Sequence, residues 1–180
     1  FNCPLKRGMV KIGFQYIGIA DEKYEKTILE IRGKIIINGE VKIGSGSKIS
    51  VGNDGVLECG NNFVLTYSSS LICFKNIKFG SDCLLSWDIL FMDNDFHIIN
   101  YDDFLSSTLQ DSISIGNKVW IGCRTLILKG TKVGNNSVVA SYSKLSKKYN
   151  EDNVLISGNP GKILRKIKEY LDHWIRAMKS

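Results

Sequence analysis

Apolar residues recur every six positions along much of this chain. Ile115, Ile121, Ile127, Val133, Val139 and Leu145 fall on one comb, which also runs through Ile31, Ile37, Ile43 and Ile49 and through Phe79, Leu85 and Phe91. Several of these residues precede glycine: Ile43-Gly44, Phe79-Gly80, Ile115-Gly116, Ile121-Gly122 and Val133-Gly134. A period of six matches neither the helical repeat nor the alternation of a single strand. It suits short strokes joined by turns, with one residue of each stroke pointing inward. Stacked coils then bury the comb as a ladder. The expected fold is an all-β solenoid, and 180 residues are enough for one such domain.

The turns fit this reading. Segments such as Gly44-Ser45-Gly46-Ser47, Gly52-Asn53-Asp54-Gly55 and Gly134-Asn135-Asn136-Ser137 are rich in residues that tolerate positive φ. Seventeen glycines against two prolines exclude collagen and a proline-rich linker. The comb slips by two between Ile49 and Val51 and fails between Phe91 and Ile115. Residues Asn94 to Asp111 carry Phe96, Tyr101, Asp102, Asp103, Phe104, Ser106, Ser107 and Thr108 where the comb would want aliphatics. They read as a loop ejected from the stack, the kind of segment that carries function on a rigid scaffold. Residues 1–30 fit the comb poorly and read as an N-terminal cap. After Pro160, the spacing of Ile163, Ile167, Leu171, Trp174 and Met178 predicts an amphipathic α-helix from about Lys162 to Met178 that closes the open end. The solenoid domain would thus span residues 1–161 and the helix residues 162–180.

The net charge is +6, and nearly all of the excess lies beyond Ser141. That suits an anionic ligand, but no stripe of basic and aromatic residues suggests nucleic acid. No apolar run approaches the length of a membrane span, and Phe1 to Ile19 lacks a signal-peptide core. Five cysteines (Cys3, Cys59, Cys73, Cys83, Cys123), odd in number and without a C-x-x-C pair, argue against a disulfide framework or a zinc cluster. A reducing cytoplasm is the expected compartment. With only two histidines, His97 and His173, no metal site is expected.

The ordered set Val119-Trp120-Ile121-Gly122, Ile127-Leu128-Lys129-Gly130, Val133-Gly134, Ser137-Val138-Val139-Ala140 and Ser157-Gly158-Asn159-Pro160-Gly161-Lys162 resembles the C-terminal signature of hexapeptide-repeat acyltransferases. The likeness to their sugar O-acetyltransferase branch covers about Ile31 to Arg165. It implies a left-handed parallel β-helix, a homotrimer, and acetyl-CoA bound in grooves between subunits. The segment Asp93-Asn94-Asp95-Phe96-His97 is similar to the D-x-D-x-H segment of members that modify bacterial surface glycans, in which the histidine is the catalytic base. The resemblance therefore gives that role to His97, with Asp95 or Asp93 orienting its ring. For the cofactor it points to Trp120 and Cys123 beside the acetyl-pantetheine arm and Ser141 one turn on. Ser146 and Lys147 would meet the adenylate end, and Lys162 and Arg165 the phosphates. Two departures from the family pattern are Tyr142, where glycine is common, and Lys147-Lys148-Tyr149-Asn150, which lacks the usual acidic-Pro step.

The chemistry agrees with this placement. A sugar hydroxyl attacks a thioester poorly, and an imidazole that takes its proton contributes roughly 10²–10⁴-fold. Trp87, beside the acidic segment, could stack on a sugar ring. The expected activity is acetyl transfer from acetyl-CoA to a sugar hydroxyl in bacterial surface-polysaccharide or lipopolysaccharide assembly. The alternatives are N-acetylation of an amino or nucleotide sugar on the same fold, and a non-catalytic solenoid scaffold.

Overall fold

The computed structural model describes residues 1–14, 17–21, 23–103 and 105–170. Its strands come in threes, one triplet per coil. The first coil holds β1 (Val10–Phe14), β2 (Ile28–Ile31) and β3 (Lys34–Ile37), and the second β4 (Val41–Gly44), β5 (Lys48–Val51) and β6 (Val56–Cys59). The third holds β7 (Phe63–Tyr67), β8 (Ser70–Cys73) and β9 (Asn76–Phe79), and the fourth β10 (Leu84–Trp87), β11 (Leu90–Met92) and β12 (Ile113–Ile115). The fifth holds β13 (Trp120–Ile121), β14 (Leu126–Leu128) and β15 (Lys132–Val133), and the sixth β16 (Val138–Val139), β17 (Lys144–Leu145) and β18 (Lys148–Tyr149). After these, β19 (Val154–Ser157) adds one more side and β20 (Lys162–Lys166) folds back on it. Each strand bonds to its counterpart one coil away, which makes three sheets, parallel except for the last pair. Sheet A runs from β1 to β20, sheet B from β2 to β17 and sheet C from β3 to β18. The chain is a β-solenoid, as the comb predicts.

Register explains the comb. In sheet A, Ile43, Leu65, Leu85, Ile121, Val139 and Ile156 stack rung on rung, and in sheet B, Ile49, Leu71, Phe91, Ile127 and Leu145 do the same. Sheet C adds Cys59, Phe79, Ile115, Val133 and Tyr149. All of these are buried. Phe63, Phe79 and Phe91 fill the middle of the prism with ring centroids 4.8 and 5.0 Å apart. The slip at Ile49 and Val51 arises because β5 turns both residues inward, so the early coils need longer sides. Ile31 departs from the expectation. At 46% exposed it lies on the open first coil, and Leu29 is the residue that continues the rung of Ile49.

The glycines after the comb residues act by size. The Cβ of an alanine at Gly60 would lie 2.4 Å from the Gly80 backbone, and one at Gly80 would lie 2.7 Å from that of Gly116. The positive-φ corners fall instead mostly on residues with side chains. Ser68, Asp88, Arg124 and Tyr142 occupy the corner between sheets A and B, while Asn62, Asp82, Lys118, Asn136 and Asn153 occupy that between C and A. At the C–A corner a polar ladder joins the coils. The N–H of Ser81 donates to Asn117 Oδ1 at 2.8 Å, that of Asn117 to Asn135 Oδ1 at 2.8 Å, and that of Asn135 to Asp152 Oδ1 at 2.6 Å.

Two boundaries differ from the sequence expectation. The segment read as a cap supplies β1 and β2, which pair with β4 and β5 as regular members of the stack. The expected helix does not begin at Lys162, because Lys162–Lys166 pair antiparallel with β19. The edge of sheet A would otherwise expose a row of unpaired backbone groups, and β20 satisfies it. Residues 167–170 hold no helix either, and the remainder, with His173 and Trp174, lies outside the described residues. Among those described, no helix is long and apolar enough to cross a membrane.

Candidate active site

The ejected loop leaves the stack between β11 and β12, at the corner between sheets B and C. Asp93 sits at its root and is fully buried. Its carboxylate accepts the N–H groups of Phe74 (2.7 Å), Lys75 (2.9 Å) and Asn76 (2.8 Å) on the coil below. That carboxylate is committed to pinning a neighbouring corner, and the expectation that Asp93 could orient His97 is not met. The loop's two legs then zip together. Asp95 N–H donates to the Leu109 carbonyl, Ser107 N–H to the Ile99 carbonyl, and Tyr101 N–H to the Leu105 carbonyl.

His97 stands exposed on the outgoing leg. Its Nδ1 lies 3.3 Å from the Asp95 backbone carbonyl oxygen. A carbonyl can only accept, so this contact places a proton on Nδ1, and in the neutral ring Nε2 is then the nitrogen that can accept one. Asp95 therefore meets the histidine through its main chain. Its carboxylate forms an ion pair of 2.6 Å with Lys129, whose side chain is only 19% exposed. The same ammonium donates to the Thr108 carbonyl on the returning leg. Phe96, between the two, holds φ at 60°. Asn94 Oδ1 accepts its N–H at 2.6 Å, and its ring packs edge-on against Phe74 at 4.9 Å.

A second group forms at the corner between sheets A and B. Trp87, half-buried at the end of β10, offers its carbonyl to the Arg124 N–H at 3.0 Å. The Arg124 guanidinium lies 3.4 Å from the Asp88 carboxylate and 5.6 Å from the centre of the Tyr142 ring, and it donates to the Tyr142 hydroxyl. Cys123 Sγ lies 3.5 Å from Ser141 Oγ. Trp120 faces out of sheet A, donating from Nε1 to Ser86 Oγ at 3.2 Å, with the Tyr170 ring 6.2 Å away. Ser146 and Lys147 are exposed between β17 and β18, with the Lys147 ammonium 5.5 Å from the Tyr149 ring. Lys162 and Arg165 are exposed on β20. The structure thus brings Cys123 together with Ser141 and strings the basic residues along the last coils. It sets the Cys123–Ser141 pair apart from His97. On the fifth coil, Cys123 and Arg124 precede β14 and Lys129 follows it, so a strand of about 10 Å separates the clusters.

Arg124 and Lys129 carry contacts that the sequence reading did not assign to them. Lys129 stood within the quoted repeat, but its partners lie 34 and 21 residues away in the chain. Burial raises the thiols of Cys59 and Cys73 to about 12 and that of Cys83 to about 11, which keeps them protonated and unreactive. Among the described residues, no group of three or more His, Cys, Asp or Glu could hold a metal ion.

Residues 112–147 match the family described as bacterial transferase hexapeptide (six repeats). The chain is 30% identical over 112 residues to WbbJ of Escherichia coli (strain K12), a protein named for O-acetyl transfer in lipopolysaccharide biosynthesis. The match covers 57% of each chain. The first curated relatives are matched over less than two thirds of their length. Among solved structures, a galactoside acetyltransferase in complex with coenzyme A superposes with a TM-score of 0.62 at 21% identity, over 78% of this chain and 70% of the other. The polysialic-acid-specific acetyltransferase NeuO gives 0.63 at 17% identity, over 91% and 88%. At these identities the two share the fold. The chain is a β-solenoid, and its residues 112–147 match the hexapeptide repeats of bacterial transferases.

Proposed function

We propose that this protein transfers acetyl from acetyl-CoA to a sugar hydroxyl by direct attack, with His97 as the general base. The observation that carries the reading is the Nδ1 contact of His97 to the Asp95 carbonyl, which leaves Nε2 as a proton acceptor on an exposed loop. The hydroxyl oxygen bonds to the acetyl carbon while Nε2 takes its proton. The carbon–sulfur bond then breaks, and the proton passes to the departing CoA thiolate. No covalent enzyme intermediate is needed, in keeping with the protonated buried thiols.

Trp120, Cys123, Ser141, Ser146, Lys147, Lys162 and Arg165 would bind acetyl-CoA, the basic ones against its phosphates. Trp87 would contact the sugar. His97 and the Cys123–Ser141 pair flank sheet B from opposite corners, so a homotrimer with each site shared between two copies would close the gap. WbbJ's name supports surface-polysaccharide or lipopolysaccharide assembly as the setting. The free cysteines suit the bacterial cytoplasm.

His97→Ala should lower acceptor-dependent release of the CoA thiol by roughly 10²–10⁴-fold. A thiol-release assay over a panel of hydroxyl and amino sugars measures this and separates O- from N-acetyl transfer. An undiminished rate in the variant would sink the mechanism.

A further inference from the structure

A polar cavity of about 340 Å³ lies at the foot of the catalytic loop, on the side of the earlier coils. Glu30, Arg32, Asn53, Asp54, Phe74 and Gln110 line it. None of them belongs to the residues given above to the base or to acetyl-CoA. The cavity adjoins the loop on two counts. Gln110 pairs with Asn94 across the loop's root, and the Phe74 ring that walls the cavity packs against Phe96, the residue before His97. Gly52 lets that wall stand where it does, since a Cβ there would meet the Phe74 ring at 2.6 Å.

We propose that this cavity binds the uncharged sugar units next to the one that is acetylated. The inference rests on the acetyl-transfer reading and adds the side of the loop from which the acceptor approaches. Carboxylates, amides and a guanidinium around one ring are the groups that pair with sugar hydroxyls, which both donate and accept. Phe74 offers an apolar wall for the C–H face of a ring. The volume falls at the low end of small-molecule sites. Charge decides the class of sugar. Arg32 is already paired with Glu30 at 2.6 Å, and Asp54 adds a second negative charge, so the lining attracts no anionic saccharide.

A printed panel of neutral, amino and anionic oligosaccharides, probed with the wild-type chain, His97→Ala and an Asn53→Ala/Asp54→Ala double variant, tests the proposal. Wild type and His97→Ala should retain neutral oligosaccharides, and the double variant should lose them about tenfold while unfolding at an unchanged temperature. Equal retention by the double variant, retention of anionic saccharides alone, or no retention by the wild type would overturn it. Failure of the acetyl-transfer reading would show separately, as thiol release that survives His97→Ala.

Discussion

Lys129 ties two points of one loop to the solenoid, the Asp95 carboxylate and the Thr108 carbonyl, and through Asp95 it bears on the ring of His97. It touches no reacting atom in the proposed transfer and acts as a positioning residue. Misplacing a catalytic group by an ångström costs up to about a hundredfold. Lys129→Met should therefore lower kcat by about ten- to a hundredfold while leaving the KM for acetyl-CoA unchanged. Lys129→Arg, which keeps the charge, should restore part of the rate. A merely structural role would lower the melting temperature without this split. Asp95 meets Lys129 through its carboxylate but His97 through its main-chain carbonyl, an atom that every residue has, so the side chain alone could not announce the ring contact.

Coil stacking is set by close approach and by side-chain ladders. Gly60→Ala would drive a Cβ to 2.4 Å from the Gly80 backbone and should cost about 1–3 kcal/mol. Gly18→Ala, with nothing within 4 Å, should change stability by less than about 0.5 kcal/mol. Thermal unfolding of the two variants compares them directly. At the C–A corner, the Asn135 side-chain amide and then its N–H hold the Asp152 carboxyl below its ordinary 3.8. A depressed carboxyl stabilises the fold above its ordinary value and loses that contribution as pH falls through its folded value. Asp152→Asn should accordingly lower the melting temperature near neutral pH, and its gap from wild type should close below pH 3.8. The six-residue comb made these coils legible because inward positions admit only apolar residues. The edge strand β20 escaped it, because pairing at an edge is decided by unpaired backbone groups that no side-chain period encodes.

For the whole molecule, the outer faces differ in character. Sheet B turns Ile72, Leu90, Met92, Leu126 and Leu128 outward, with Leu126 39% exposed, whereas sheet C presents Lys78, Lys132 and Lys148. An apolar face flanked by both residue clusters is where copies would meet in the proposed trimer. Sedimentation of the wild type should give about 60 kDa, three times the 20.2 kDa chain. Leu126→Asp should shift it toward the single chain and reduce transfer with it, and a wild type sedimenting as one chain would refute the shared site.

The sequence by itself determined the period, the inward ladder, the place where the stack is interrupted and the histidine within that interruption. Each of these follows from local chemistry: which side chains can be buried, and which cannot. Only the tertiary structure decided that Asp93 is buried in a turn, that Lys129 spans the loop, and that a polar cavity opens beside Phe74. These facts depend on which coil lies above which. Inserted turn residues and the long loop set that register, and a six-residue comb repeats too uniformly to specify it.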